Sequence, residues 1–155
     1  MRQVPLDPQS FRWQVRVYYE DTDAGGIVYY ANYLRFMERA RSEWLRGLGW
    51  DQSRLGRDHG IVFAVRRADL RFLRPARLDD LLIVTAGIDK TSRTSIDFSQ
   101  KIARAQDNVV CCSGTVNVAC IGAESMRPTR IPDVLLQAMA NSYRALPAST
   151  DAPYR

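Results

Sequence analysis

Between Phe11 and Val17, apolar Phe11, Trp13, Val15 and Val17 alternate with polar Arg12, Gln14 and Arg16, the period-two pattern of a strand with one buried face. The strand runs into Glu20-Asp21-Thr22-Asp23-Ala24-Gly25-Gly26, where short polar residues and paired glycines predict a turn with unusual backbone angles. From Tyr33 the period changes. Met37, Ala40, Trp44 and Leu48 recur at spacings of three and four, joined by Phe36 and Leu45, while Arg35, Glu38, Arg39 and Arg41 fill the other faces. This predicts an amphipathic helix of about four turns, with Asn32 as its amino-terminal cap and Gly47 or Gly49 as its stop.

Beyond Gly60 the helical period disappears. Val62, Ala64, Ala68, Leu70 and Phe72 mark a long strand that Pro75 breaks, and three more strands follow on Leu82 to Ile88, Ile96 to Ile102 and Val116 to Cys120. Ile131 to Leu146, with Pro132 in its first turn, reads as a closing helix. Strand, helix, four long strands and a short helix form an α+β order, which implies an antiparallel sheet rather than alternating parallel units. Such a sheet and one long apolar helix bury each other when the sheet curls around the helix, the hot-dog architecture of about five strands around one central helix. One domain is expected over residues 11–146, with a flexible segment at 1–10 and a mobile tail at 147–155.

Composition narrows the class. Apolar residues make up 46% and charged residues 25% of 155 residues, the balance of a globular chain. No apolar run approaches the roughly 20 residues of a membrane helix, and Met1 to Ser10 lacks a signal-peptide core, so the cytoplasm is the expected compartment. Cys111, Cys112 and Cys120 have neither the count nor the spacing of a disulfide framework or zinc site. His59 is the only histidine, which disfavours a histidine triad and a multi-histidine metal centre and leaves it as a solvated loop residue. The net charge of +5 favours an anionic partner, either nucleic acid, acidic lipid or a phosphate-bearing group such as coenzyme A. With no basic block and no aromatic RNA-binding signature, nucleic acid is not expected.

The stretch Val17-Tyr-Tyr-Glu-Asp-Thr-Asp-Ala-Gly-Gly-Ile-Val-Tyr-Tyr-Ala-Asn-Tyr-Leu34 resembles the opening motif of hot-dog acyl-CoA thioesterases, especially the Tol-Pal-associated branch. The resemblance continues through Glu38-Arg-Ala-Arg-Ser-Glu-Trp-Leu45 and Arg74-Pro-Ala-Arg-Leu-Asp-Asp80, and covers Phe11 to Pro132. It departs at Tyr30, where the Tol-Pal-associated branch carries histidine and the hydroxybenzoyl-CoA thioesterases carry tyrosine. Tyrosine keeps a hydroxyl but gives up a group that titrates near neutral pH.

What the resemblance implies is hydrolysis of an acyl-CoA to free acid and coenzyme A, with Asp23 as the essential carboxylate and Asp21 as the wrong aspartate. Read without it, Asp23 is a turn residue or cap. Asp23 either activates water as a general base or attacks the thioester as a nucleophile. Backbone N–H groups at the glycine turn and helix start are the expected oxyanion donors. Gly25 and Gly26 allow close approach of substrate, or serve the turn alone; Tyr30 either contacts substrate or plugs the core. No metal and no separate cofactor are expected, coenzyme A being part of the substrate. The resemblance also implies at least a homodimer and commonly a homotetramer. The other readings are a hot-dog domain that senses acyl-CoA without hydrolysing it, and a hydratase, for which His59 lacks the required pattern.

Overall fold

In the computed structural model, residues 10–142 are described, so the expected leader, the tail and the last residues of the closing helix lie outside them. The chain forms β1 (Phe11–Arg16), α1 (Asn32–Gly47), α2 (Gln52–His59), β2 (Ile61–Phe72), β3 (Leu81–Thr91), β4 (Ser95–Arg104), β5 (Val110–Gly122) and α3 (Asp133–Ala140). The five strands make one antiparallel sheet in the order β1-β3-β4-β5-β2.

Helix α1 forms because its apolar residues fall on one face with no proline to interrupt them. Tyr33, Phe36, Met37, Ala40, Trp44 and Leu45 are all buried along it. That face packs across β1, β3 and β4, where Val84, Ala86, Phe98 and Ile102 complete the core. The expected hot-dog arrangement is therefore the observed one. Two boundaries shift. Ala31 takes the cap position, and Asn32 is the first helical residue with its side chain engaged elsewhere. Among the described residues the closing helix runs from Asp133 to Ala140, and the expected stretch from 143 to 146 lies outside them.

Helix α2 was not foreseen, although its signals are ordinary ones. Asp51 caps it by accepting a 2.8 Å bond from the Arg54 N–H, and Gly60 ends it at φ 63°. His59 is thus the last residue of a helix rather than a loop residue, exposed and with its ring 5.2 Å from that of Trp50.

Strand β2 also differs from its expected face. A bulge between Val65 and Arg67 changes the phase, so Ile61 and Phe63 meet the core before it and Leu70 meets the core after it. One alternating set from Val62 to Phe72 could not capture that switch. β2 lies at the sheet edge, and its second half is largely exposed.

Candidate active site

Two aspartates separated by one residue have opposite environments. Asp21 is buried; its carboxylate accepts bonds from the Tyr18 N–H and the Asn32 side-chain amide, both 2.9 Å, and its carbonyl accepts the Tyr29 N–H at 2.9 Å. It locks the end of the first strand segment to the start of α1. Asp23 is exposed at the tip of a small hairpin closed by the Thr22 and Val28 bridge.

The hairpin needs its glycines. The Asp23 N–H donates to the Ile27 carbonyl at 2.9 Å and the Gly26 N–H returns to the Asp23 carbonyl at 3.0 Å, with Gly26 at φ 74°. The Gly25 N–H donates to an Asp23 carboxylate oxygen at 2.8 Å, and a Cβ on Gly25 would stand 3.2 Å from that oxygen. Asp23 is thereby held by backbone while its carboxylate keeps further lone pairs open to an incoming group.

The hairpin is clamped from below. The Val28 N–H donates to the Ala76 carbonyl at 2.8 Å, and the Ala76 N–H donates to the Tyr33 hydroxyl at 3.2 Å. Burial pushes the Tyr33 phenol up to about 12, so this ring is a protonated structural post. At the head of α1 the first turn closes through Asn32 N–H to the Tyr29 carbonyl at 2.8 Å and Leu34 N–H to the Ala31 carbonyl at 3.2 Å. The N–H groups of Tyr30 and Ala31 stand ahead of these bonds, at the positive end of the helix.

Tyr30 is not a core plug. It is 60% exposed, its ring 4.9 Å from Tyr29 and 6.0 Å from Phe72, and the buried ring is Tyr33 three residues later. A hydrogen bond with Tyr30 holds the Tyr29 phenol above its ordinary value. Asp23, Gly25 and Gly26 thus stand on the hairpin and Tyr30 on the segment that follows it. Among the described residues no cluster of three or more His, Cys, Asp or Glu side chains could hold a metal. Burial raises the Cys111, Cys112 and Cys120 thiols to about 11, 12 and 11, which leaves them protonated and unreactive near neutral pH.

A second feature escaped the sequence reading. A cavity of about 330 Å³ opens beside α1, lined by Arg41, Trp44, Phe63, Phe98, Val118 and Met139 among others. Gln100, 1% exposed, faces α1 from β4 and accepts a 2.9 Å bond from Arg41. Its signal was present: in the row Ile96, Phe98, Gln100, Ile102, glutamine alone interrupts the buried apolar face of β4.

Residues 17–139 match the family model of the Thioesterase-like superfamily. The chain belongs to that superfamily. This thioesterase-like chain is 43% identical over 127 residues to the Acyl-CoA thioester hydrolase YbgC of Escherichia coli O6:H1, covering 82% of the chain and 93% of that protein. It is 41% identical to the Acyl-CoA thioesterase YbgC of Haemophilus influenzae, covering 79% and 89%. Among solved structures it is similar to a 1,4-dihydroxy-2-naphthoyl-CoA thioesterase from Synechocystis, with TM-score 0.79, 21% identity and coverage of 85% and 96%, which bears on the fold alone.

Proposed function

We infer that this chain hydrolyses acyl-CoA thioesters, with Asp23 as the catalytic carboxylate. The observation that carries the reading is an exposed carboxylate held by its own glycine hairpin beside the head of α1, while its neighbour Asp21 is consumed by structure. Thioester cleavage needs an oxygen nucleophile at the acyl carbon, donors for the developing oxyanion and departure of the coenzyme A thiolate. Asp23 supplies the first task, by deprotonating water or by attacking the carbonyl itself. The N–H groups at the head of α1 meet the oxyanion, where the helix dipole adds to their effect. Gly25 and Gly26 let the thioester approach the backbone, and Tyr30 offers its hydroxyl and ring to substrate.

The acting unit is at least a homodimer, and a homotetramer fits the same reading. What favours association is the open edge of β2, twelve residues long with Val65 and Phe72 52% and 53% exposed. No helix among the described residues is long and apolar enough to cross a membrane. The test is release of free coenzyme A from a panel of short, long and aromatic acyl-CoAs. Turnover by the parent chain and its loss in Asp23→Asn support hydrolysis; tight acyl-CoA binding without turnover would instead mark a sensing domain.

A further inference from the structure

The cavity beside α1 contains a cation in an unusual setting. Arg41 is largely removed from water, and this desolvation lowers its guanidinium to about 10. It enters no ion pair among the described residues. Glu38, three residues earlier on the helix, accepts the Ser42 hydroxyl at 2.8 Å and influences Arg41 only through space. Arg41 instead donates one N–H to the Gln100 side-chain carbonyl at 2.9 Å.

That carbonyl has no freedom to turn away. The Gln100 amide nitrogen donates to the backbone carbonyls of Met37 on α1 and Thr85 on β3, at 3.1 and 3.2 Å. Both amide hydrogens are used, so the oxygen must face the guanidinium. A guanidinium has five N–H donors, and this contact takes one. Trp44, in the same lining, adds an indole N–H that is buried without an acceptor. The apolar walls carry no side-chain oxygen, while Glu38, Ser42 and Gln52 in the same lining do but make no hydrogen bond to Arg41 or to the Trp44 indole. Unmet donors in a mostly apolar lining call for an occupant that is mostly hydrocarbon and carries an acceptor.

We propose that Arg41, positioned by Gln100, is a specificity-determining residue that makes this cavity the seat of the distal end of an acyl group bearing an oxygen acceptor. The proposal rests on the thioester-hydrolase reading. Ala31 and Arg41 are ten helical residues apart, about 15 Å along α1. The recognised oxygen is therefore remote from the thioester carbonyl, as in an ω-hydroxyacyl chain of medium length. Glu38, in the same lining and acting on Arg41 through space, would repel a second carboxylate, so a neutral hydroxyl or keto oxygen is the better fit.

The test compares dodecanoyl-CoA with ω-hydroxydodecanoyl-CoA on the full chain. The expected kcat/KM favours the hydroxylated thioester by about tenfold, the usual gain from a hydrogen bond to a charged group. Arg41→Met should bring the ratio to about one or below, and Gln100→Leu should lower it part-way by releasing the guanidinium. Each ratio is taken within one protein, so a merely structural role would depress both substrates together and leave it unmoved. Should Arg41→Met not fold, Arg41→Lys keeps the charge, loses the planar fork and should still reduce the preference. Equilibrium binding of both thioesters to Asp23→Asn gives the same comparison without turnover. A parent chain that binds and hydrolyses the two equally, or a preference that survives Arg41→Met, overturns the proposal. Failure of the parent chain to release coenzyme A from any thioester, with the binding preference intact, would instead sink the hydrolase reading alone.

Discussion

At the head of α1 (Asn32–Gly47) the fastenings are polar: Asp21 to Asn32 and Tyr18, Val28 to Ala76, and Ala76 to Tyr33. Two to three turns further along, Met37, Ala40, Trp44 and Leu45 are held by buried apolar contact, and polarity enters only through Gln100 and Arg41. The first construction keeps a carboxylate exposed yet fixed, because the Asp21 bonds close the short segment from Tyr18 to Asn32, Ala76 clamps it from a distant loop, and Asp23 stays outside the lock. The second keeps a cation away from water, which is tolerable only when a neutral carbonyl is already aimed at it. Directional bonds therefore place the candidate catalytic group, and shape with one anchored charge forms the cavity.

The contrast can be broken most forcefully at Phe36, fully buried between the two ends and edge-to-face with Tyr33 at 6.4 Å. Phe36→Ala should cost about 3 to 5 kcal/mol in urea unfolding, and it should impair both ends together. Asp21→Ala should cost less, about 2 to 4 kcal/mol, because it strands the buried amide of Asn32 and the Tyr18 N–H. Turnover should fall with it although Asp21 touches no substrate, and hydrogen exchange should quicken at the 22–28 hairpin rather than along β4. An Asp21→Ala chain with parent stability would show that the polar lock is decorative.

Gly26→Ala sharpens the same point at smaller cost. It forces a side chain to φ 74°, worth about 1 to 2 kcal/mol, and should lower kcat through the displaced Asp23 more than it lowers the unfolding midpoint.

The smallest effect is on the pH dependence. The folded thiols of Cys111, Cys112 and Cys120 ionise near 11, 12 and 11 against an ordinary 9.0, and Tyr33 near 12 against 10.0. Their contribution to stability is complete below about pH 9 and is lost as pH climbs through 9 to 12. Arg41 has the opposite sign, since its folded value of about 10 lies below the ordinary 12.5 and its burial cost is relieved as pH rises through that interval. Thermal midpoints should therefore fall above pH 9, less steeply in Cys112→Ala and more steeply in Arg41→Met.

Much of the fold was legible because periodicity reports burial directly. The α1 face and the inward rows of β3, β4 and β5 appear as spacings of residues that must leave water. The β2 face was not, because a bulge after Val65 reverses the in-out phase without any proline or glycine to announce it. Helix α2 escaped because it buries only Leu55, so its apolar pattern is almost absent and only its Asp51 cap and Gly60 stop remain. At the site, the paired glycines pointed to the hairpin, while the division between Asp21 and Asp23 came from resemblance. Composition alone cannot tell a buried aspartate from an exposed one two positions away. The Arg41 and Gln100 pair joins residues 59 positions apart, a distance that no local pattern encodes.

The role of Asp23 is tested most directly by kcat for coenzyme A release by Asp23→Asn beside the parent chain, with unfolding measured on the same samples. Asp23→Asn should lose about a hundredfold or more, the usual weight of a positioned base, with an unchanged unfolding midpoint. Turnover within about twofold of the parent by a folded Asp23→Asn chain would contradict that role.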